Sequence, residues 1–135
     1  MKILIDTNIL ISAFVFYGQI GKLLDSMLDN DEIEIYVTEY VDAEFRRVVN
    51  ETFSKKSEKA LEKYKKANFK IYPSTQKILG KVRDKKDIPV LSDAIYYGAD
   101  ILLTGDKDFF ETEIDMPIIM SPAVLAEYLQ QKFGA

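Results

Sequence analysis

Asp6, Glu44, Asp87 and Asp106 are the side chains with the most chemistry to offer, because each carboxylate falls at the edge of an apolar stretch. The chain contains neither histidine nor cysteine. That excludes Ser-His-Asp catalysis, histidine metal sites, thiolate zinc, thiol nucleophiles and disulfides. Catalysis must rest on carboxylates, hydroxyls, lysines, arginines, tyrosines or a bound ion. Acids gathered in one pocket repel each other strongly without cations. Hard oxygen ligands select Mg2+ or Mn2+ over zinc or copper. Such ions generate a hydroxide nucleophile and stabilise charge on a phosphoryl oxygen.

Each acid also has a plainer reading. Asp6 follows an apolar run and can cap the helix after it, so cap and ligand weigh equally. Asp106 sits on a Thr104-Gly105-Asp106 turn, where a turn residue is the first expectation. Gly105 is expected to let the backbone bend sharply there. Glu44 is more informative. With Val41 at zero on a helical wheel, Phe45 falls at roughly 40 degrees, Val48 at roughly 340 and Glu44 at roughly 300. Glu44 therefore borders the core stripe, where an ionised acid needs a cation, a salt bridge with Arg47, or a path to water. Asp87 precedes Pro89 at a helix start and reads as a cap or as a rim acid. Asp93 lies about a turn and a half further along the same helix, as a helix-face acid or a supporting partner.

The elements that must position these acids alternate. Lys2 to Ile5 reads as a strand buried on both faces. A buried helix over Ile9 to Val15 follows, then Gly18, then an amphipathic helix with Ile20, Leu23, Leu24, Met27 and Leu28 on one face. Ile33 to Val37 is a second strand, and Thr38 opens a helix carrying Val41, Phe45, Val48 and Val49. Residues 54–68 form a lysine-rich helix, Phe69 to Tyr72 a third strand, and 81–87 a charged loop. Pro89 to Tyr97 is helical, Ile101 to Leu103 a fourth strand, and Ile118 to Met120 a fifth. Ser121 and Pro122 cap a last helix. Alternating strands and helices imply right-handed crossovers and an α/β fold with a parallel sheet covered on both faces. Ligands of such sheets sit beyond the carboxyl ends of the strands, where Asp6 and Asp106 fall if strands one and four are neighbours.

A length of 135 residues suits one domain spanning 1–135, and an apolar share of 47% suits a sizeable core. The net charge of −4 argues against a basic nucleic-acid coat protein, although bound cations would change that count. No apolar run reaches transmembrane length and the N-terminus reads as a strand instead of a signal peptide, so the expectation is a cytoplasmic protein with no membrane association. Lys59, Lys63, Lys66 and Lys70 recur at helical spacing. They read as a solvated face supported by pairs such as Glu62 with Lys66, with a phosphate-binding stripe as the second reading.

The chain resembles the PIN-domain nucleases, in particular their VapC-like toxin branch. The resemblance rests on MKILIDTN at residues 1–8, Thr38 through Glu44, the run from Asp84 to Asp87, and LTGDKDF at 103–109. It implies a three-layer sandwich built on a parallel sheet of about five strands. It also implies metal-dependent hydrolysis of phosphodiester bonds in single-stranded RNA, with Mg2+ or Mn2+ as cofactor. Residue by residue, Asp6, Glu44, Asp87 and Asp106 match the family's four acids, with Asp6, Asp87 and Asp106 as metal ligands. Thr7, Asn8 and Thr104 match the small polar residues that support them. Asp93 is close enough to exchange roles with Asp87, and Asp108 to assist Asp106. In the implied mechanism Asp6, Asp106 and one other acid hold one or two ions, water attacks phosphorus in line, and Glu44 orients that water or completes the metal shell. Toxins of this branch dimerise and are held inactive by a small antitoxin. Tyr96, Tyr97, Phe109 and Phe110 offer aromatic surface for such contacts, with half or more expected in the core. Two other readings stand beside this one: a magnesium-dependent phosphatase of small molecules, which would want Asp where the chain has Asn8, and a catalytically silent binding module of the same fold.

Overall fold

Ile3, Leu4 and Ile5 have no exposed surface at all, which requires cover on both faces of the strand that carries them. The structure, a computed structural model, describes residues 1–134 and supplies that cover. β1 (Lys2–Ile5) is the middle of a five-stranded sheet with β2 (Glu34–Thr38), β3 (Lys70–Tyr72), β4 (Ile101–Leu103) and β5 (Ile118–Met120). The order is β3-β2-β1-β4-β5, and every pairing is parallel. Ile3 stands between Ile35 and Ile101, so the centre is a row of apolar side chains. The chain leaves β1 toward β2 on one side and returns to its other side as β4. That reversal opens a crevice beyond the carboxyl ends of β1 and β4.

The covering helices are α1 (Thr7–Ile11), α2 (Gly18–Leu28), α3 (Glu39–Thr52), α4 (Ser57–Ala67), α5 (Ile88–Tyr96), the short α6 (Lys107–Phe110) and α7 (Pro122–Phe133). α1 does not stop cleanly. It widens into a π-helical stretch, Ser12–Phe16, and then bends by 104° into α2. Tyr17 and Gly18 form that corner with φ of 67° and 51°, which accounts for the glycine. Gly21 is needed one turn later, because a Cβ there would lie 2.3 Å from the Tyr17 ring. Phe14, Phe45, Tyr64 and Phe69 then pack edge to face or tilted at centroid distances of 4.6–6.1 Å, fastening α1, α3 and α4 to one another. No single helix among the described residues is long and apolar enough to cross a membrane.

Two boundaries differ from the periodicity reading. The lysine-rich helix ends at Ala67, where Asn68 takes a left-handed conformation (φ 53°). Lys70 therefore leaves the helical stripe and lies on β3, bound to Glu34 at 2.9 Å. The charged loop is also more ordered than its composition implies. Asp84 accepts the Lys86 N–H and starts a 3-10 turn, Lys85–Asp87, that runs into α5.

Candidate active site

β1 delivers Asp6 to the crevice, and the Asp6 N–H still bonds the Leu103 carbonyl of β4 at 3.0 Å. The side chain caps α1 by accepting the Thr7 N–H at 2.8 Å. Its other oxygen accepts the Thr104 hydroxyl at 2.7 Å. Capping and a place at the rim, which competed as readings of Asp6, are compatible because a carboxylate has two oxygens. Thr104, fully buried at the end of β4, also accepts the Asp106 N–H at 3.0 Å. One hydroxyl thus ties the two acids across the sheet rim. Asp106 in turn caps α6 by accepting the Asp108 N–H at 2.9 Å. Asn8 approaches the same turn, with its Oδ1 3.5 Å from the Gly105 N–H. Gly105 itself is not in the left-handed region, and a Cβ would meet only Asn8 Nδ2 at 3.8 Å. The turn is held by the Thr104 hydroxyl, and glycine is not conformationally required there.

Asp87 arrives from the opposite side on the 3-10 turn. It makes no capping bond to α5. Instead its carboxyl lies close enough to Asp106 and Asp6 for both to oppose its ionisation. Burial, then the neighbouring Asp106 carboxyl and the charges of Asp6 and Asp84, push Asp87 up to about 8. Burial likewise lifts Asp6 to about 6, against the hydrogen bonds from Thr104 and Thr7, with Glu44 and Asp106 adding repulsion. Glu44, half-buried on α3, is thereby a neighbour of Asp6. It takes no part in an ion pair among the described residues, since Arg47 binds Glu51 at 3.2 Å. Asp84, Asp87 and Asp108 form an adjoining set whose carboxylate oxygens lie within 4.8 Å of one another. That set can coordinate a divalent cation, and Asp87 belongs to both groups.

The residues present fit a hard cation. The Asp87 Oδ2 is buried without a hydrogen-bond partner, and Asp6 and Asp87 are both held toward their neutral forms. A cation and a proton compete for the same oxygens, so raising the pH favours the cation and a bound cation draws both acids toward their ionised forms.

Asp93 is not brought into this group. It is fully buried on α5, and its carboxylate accepts the Thr75 N–H at 2.7 Å. Six residues separate it from Asp87, which turns it roughly a third of the way round the helix and away from the rim. There it anchors the segment after β3, together with Ser92, which accepts the Leu79 N–H at 3.0 Å. Thr7 is buried beside Asp6, with a hydroxyl that has no partner. Two rim residues escaped sequence reasoning. Asp84 stood in the run leading to Asp87 but was given no role of its own. Tyr40 had no signal, yet its hydroxyl donates to the Lys86 carbonyl at 2.9 Å and steadies the turn that carries Asp87. Of the aromatic quartet, Phe109 is core and Tyr97 half-buried, while Tyr96 and Phe110 are exposed.

A family profile described as the PIN domain matches residues 2–108. Among solved structures, VapBC2 from Rickettsia felis, bound to a DNA fragment from its promoter, superposes with a TM-score of 0.69 at 22% identity, covering 90% of this chain and 98% of that one. FitAB bound to a DNA fragment superposes with a TM-score of 0.63 at 20% identity, covering 89% and 94%. No curated protein matches the chain by sequence.

Proposed function

Because the chain belongs to the PIN-domain family, we propose that it is a Mg2+- or Mn2+-dependent endoribonuclease hydrolysing phosphodiester bonds in single-stranded RNA. The observation that supports this reading most is the Thr104 hydroxyl bonded to both Asp6 and Asp106, with Asp87, from a third distant stretch, near enough for their charges to raise it. Asp6, Asp87 and Asp106 would hold the cation, with Asp84 and Asp108 beside Asp87 as the place for a second. When bound, the ion supplies Lewis acidity toward a phosphoryl oxygen and makes water more acidic. The chain's own groups do the rest. Asp6 and Asp106 are held at fixed separation by Thr104, so the pocket needs little rearrangement to receive charge. Glu44, free of Arg47, orients the attacking water and takes its proton. Water then forms the new bond to phosphorus as the bond to the leaving ribose oxygen breaks, and that oxygen keeps the electron pair and takes a proton from solvent.

The reading extends to a toxin held by a small antitoxin and acting as a homodimer. It is supported by the likeness to VapBC2 and FitAB, whose structures contain DNA, and by the exposed Tyr96 and Phe110. The test is cleavage of labelled single-stranded RNA with Mg2+, with chelator, and by Asp6→Asn and Asp106→Asn. Cleavage that needs the metal and both acids is expected. Cleavage surviving chelation or either substitution overturns the assignment. Release of phosphate from a phosphomonoester, with RNA left intact, would select the phosphatase reading instead.

A further inference from the structure

Phe16 ends the π-helical stretch with 59% of its surface exposed, although an aromatic ring is normally drawn into the core. Phe53, at the end of α3, meets it edge to face at 5.4 Å, and the Lys56 ammonium lies 4.8 Å from its centroid. Beside this pair is a cleft of about 320 Å³, floored by Phe14 and rimmed by Lys55, Lys56, Lys59 and Lys63. Residues 55–66 hold six lysines against two glutamates in a chain whose net charge is −4. The paired-face reading accounts for Lys66, bound to Glu62 at 3.1 Å, and for Lys70, bound to Glu34. It does not account for the cleft. Among the described residues, Lys55, Lys56, Lys59 and Lys63 are in no ion pair.

Unpaired ammonium groups around an exposed aromatic face match one chemistry closely. Single-stranded nucleic acid presents phosphates to the cations and bases to the ring. The position fits as well. α1 with its extension, and α3, both start at the acid rim, where Asp6 and Thr38 are their caps, and pack against each other. They arrive together at Phe16, roughly 15 Å from Asp6 by helical rise, and Phe53, roughly 14 Å from Glu44 by the same rise. An acidic peptide would satisfy the lysines, but nothing would then link the cleft to the rim.

We propose that Phe16, Phe53, Lys55, Lys56, Lys59 and Lys63 form a holding subsite for the single-stranded stretch of substrate beside the cleavage point. This rests on the nuclease reading for its substrate, but not for its binding test. Full-length protein is titrated against labelled single-stranded RNA of about 12 nucleotides, in chelator so that nothing is cut. Reversing two cleft lysines (Lys56→Glu with Lys59→Glu) is expected to weaken binding about tenfold at low salt and to lower the slope of log affinity on log salt by about 1.4. Phe16→Ala is expected to weaken it about fivefold with the slope unchanged. Phe16 is exposed, so an unaltered melting temperature separates lost stacking from lost fold. Affinity unchanged in both variants overturns the subsite, whether or not the protein cleaves, and leaves the cleft to a protein partner. Losses as stated in a protein that never cleaves RNA uphold the subsite and sink the nuclease reading alone.

Discussion

Removing the charge of Asp6 should make the metal-free protein more stable, and by an amount the structure lets one work out. Burial raises this carboxyl from 3.8 to about 6, so the folded state holds a proton over a range in which the unfolded chain has released it. A raised acid destabilises the fold as pH climbs: the cost is absent below 3.8, grows through the interval, and is complete above about 6. Roughly two pK units correspond to about 3 kcal/mol. Asp6→Asn escapes that cost but gives up one good bond, since an amide cannot accept both the Thr7 N–H and the Thr104 hydroxyl as the carboxylate does. Loss of one such bond costs about 1 kcal/mol. The net expectation is about 2 kcal/mol in favour of the variant at pH 7–8, or roughly 5–10 °C in melting temperature, shrinking to parity near pH 4.5. Thermal melts in chelator at several pH values read this directly. Saturating Mn2+ should then reverse the order, because wild type gains about 2.7 kcal/mol at a hundredfold excess over its dissociation constant while the variant lacks a ligand. A stability difference that does not change with pH, or a Mn2+ shift equal in both proteins, would refute the electrostatic account of the rim.

Thr104→Val should lower stability by about 1–3 kcal/mol, because it strands a buried Asp6 oxygen and the Asp106 N–H at once. Since the Thr104 bond favours ionised Asp6, its loss should also move the acidic limb of the cleavage profile to higher pH; a limb that stays put would mean Asp6 ionisation does not control the rate. Gly105→Ala should be neutral or stabilising by up to about 1 kcal/mol, as neither backbone nor neighbours demand glycine. A melt showing more than about 1 kcal/mol of loss would restore the sharp-bend explanation of the turn.

The sheet was legible because its signal is local and redundant. Ile3, Leu4 and Ile5 must be buried on both sides, and a second continuous run at Ile101 to Leu103 has the same need, so their adjacency follows from topology. The rim acids were half legible. Asp6 and Asp106 could be placed by strand ends alone, but Asp87 and Asp93 could not be told apart, because both lie near one helix and only its rotation distinguishes them. That rotation is set by Ser92 and Asp93 gripping the segment after β3, a contact between residues 13 to 18 positions apart that no short window contains. Lys70 was misplaced for a related reason. Helical spacing continues arithmetically past Asn68, whereas the chain turns there and β3 begins. Periodicity reports what a helix would do if it went on; whether it goes on is decided by the strand edge, where Lys70 can reach Glu34 and Ile71 can pair with Val37. The same limit hid the cleft at Phe16. No sequence period links Phe16, Phe53 and Lys56, and they meet only because α1 and α3 leave one rim side by side. Acids that meet at the start of those helices and cations that meet at their end are thus two consequences of a single packing, and a substrate strand long enough to touch both would be sensitive to any change in the angle between them.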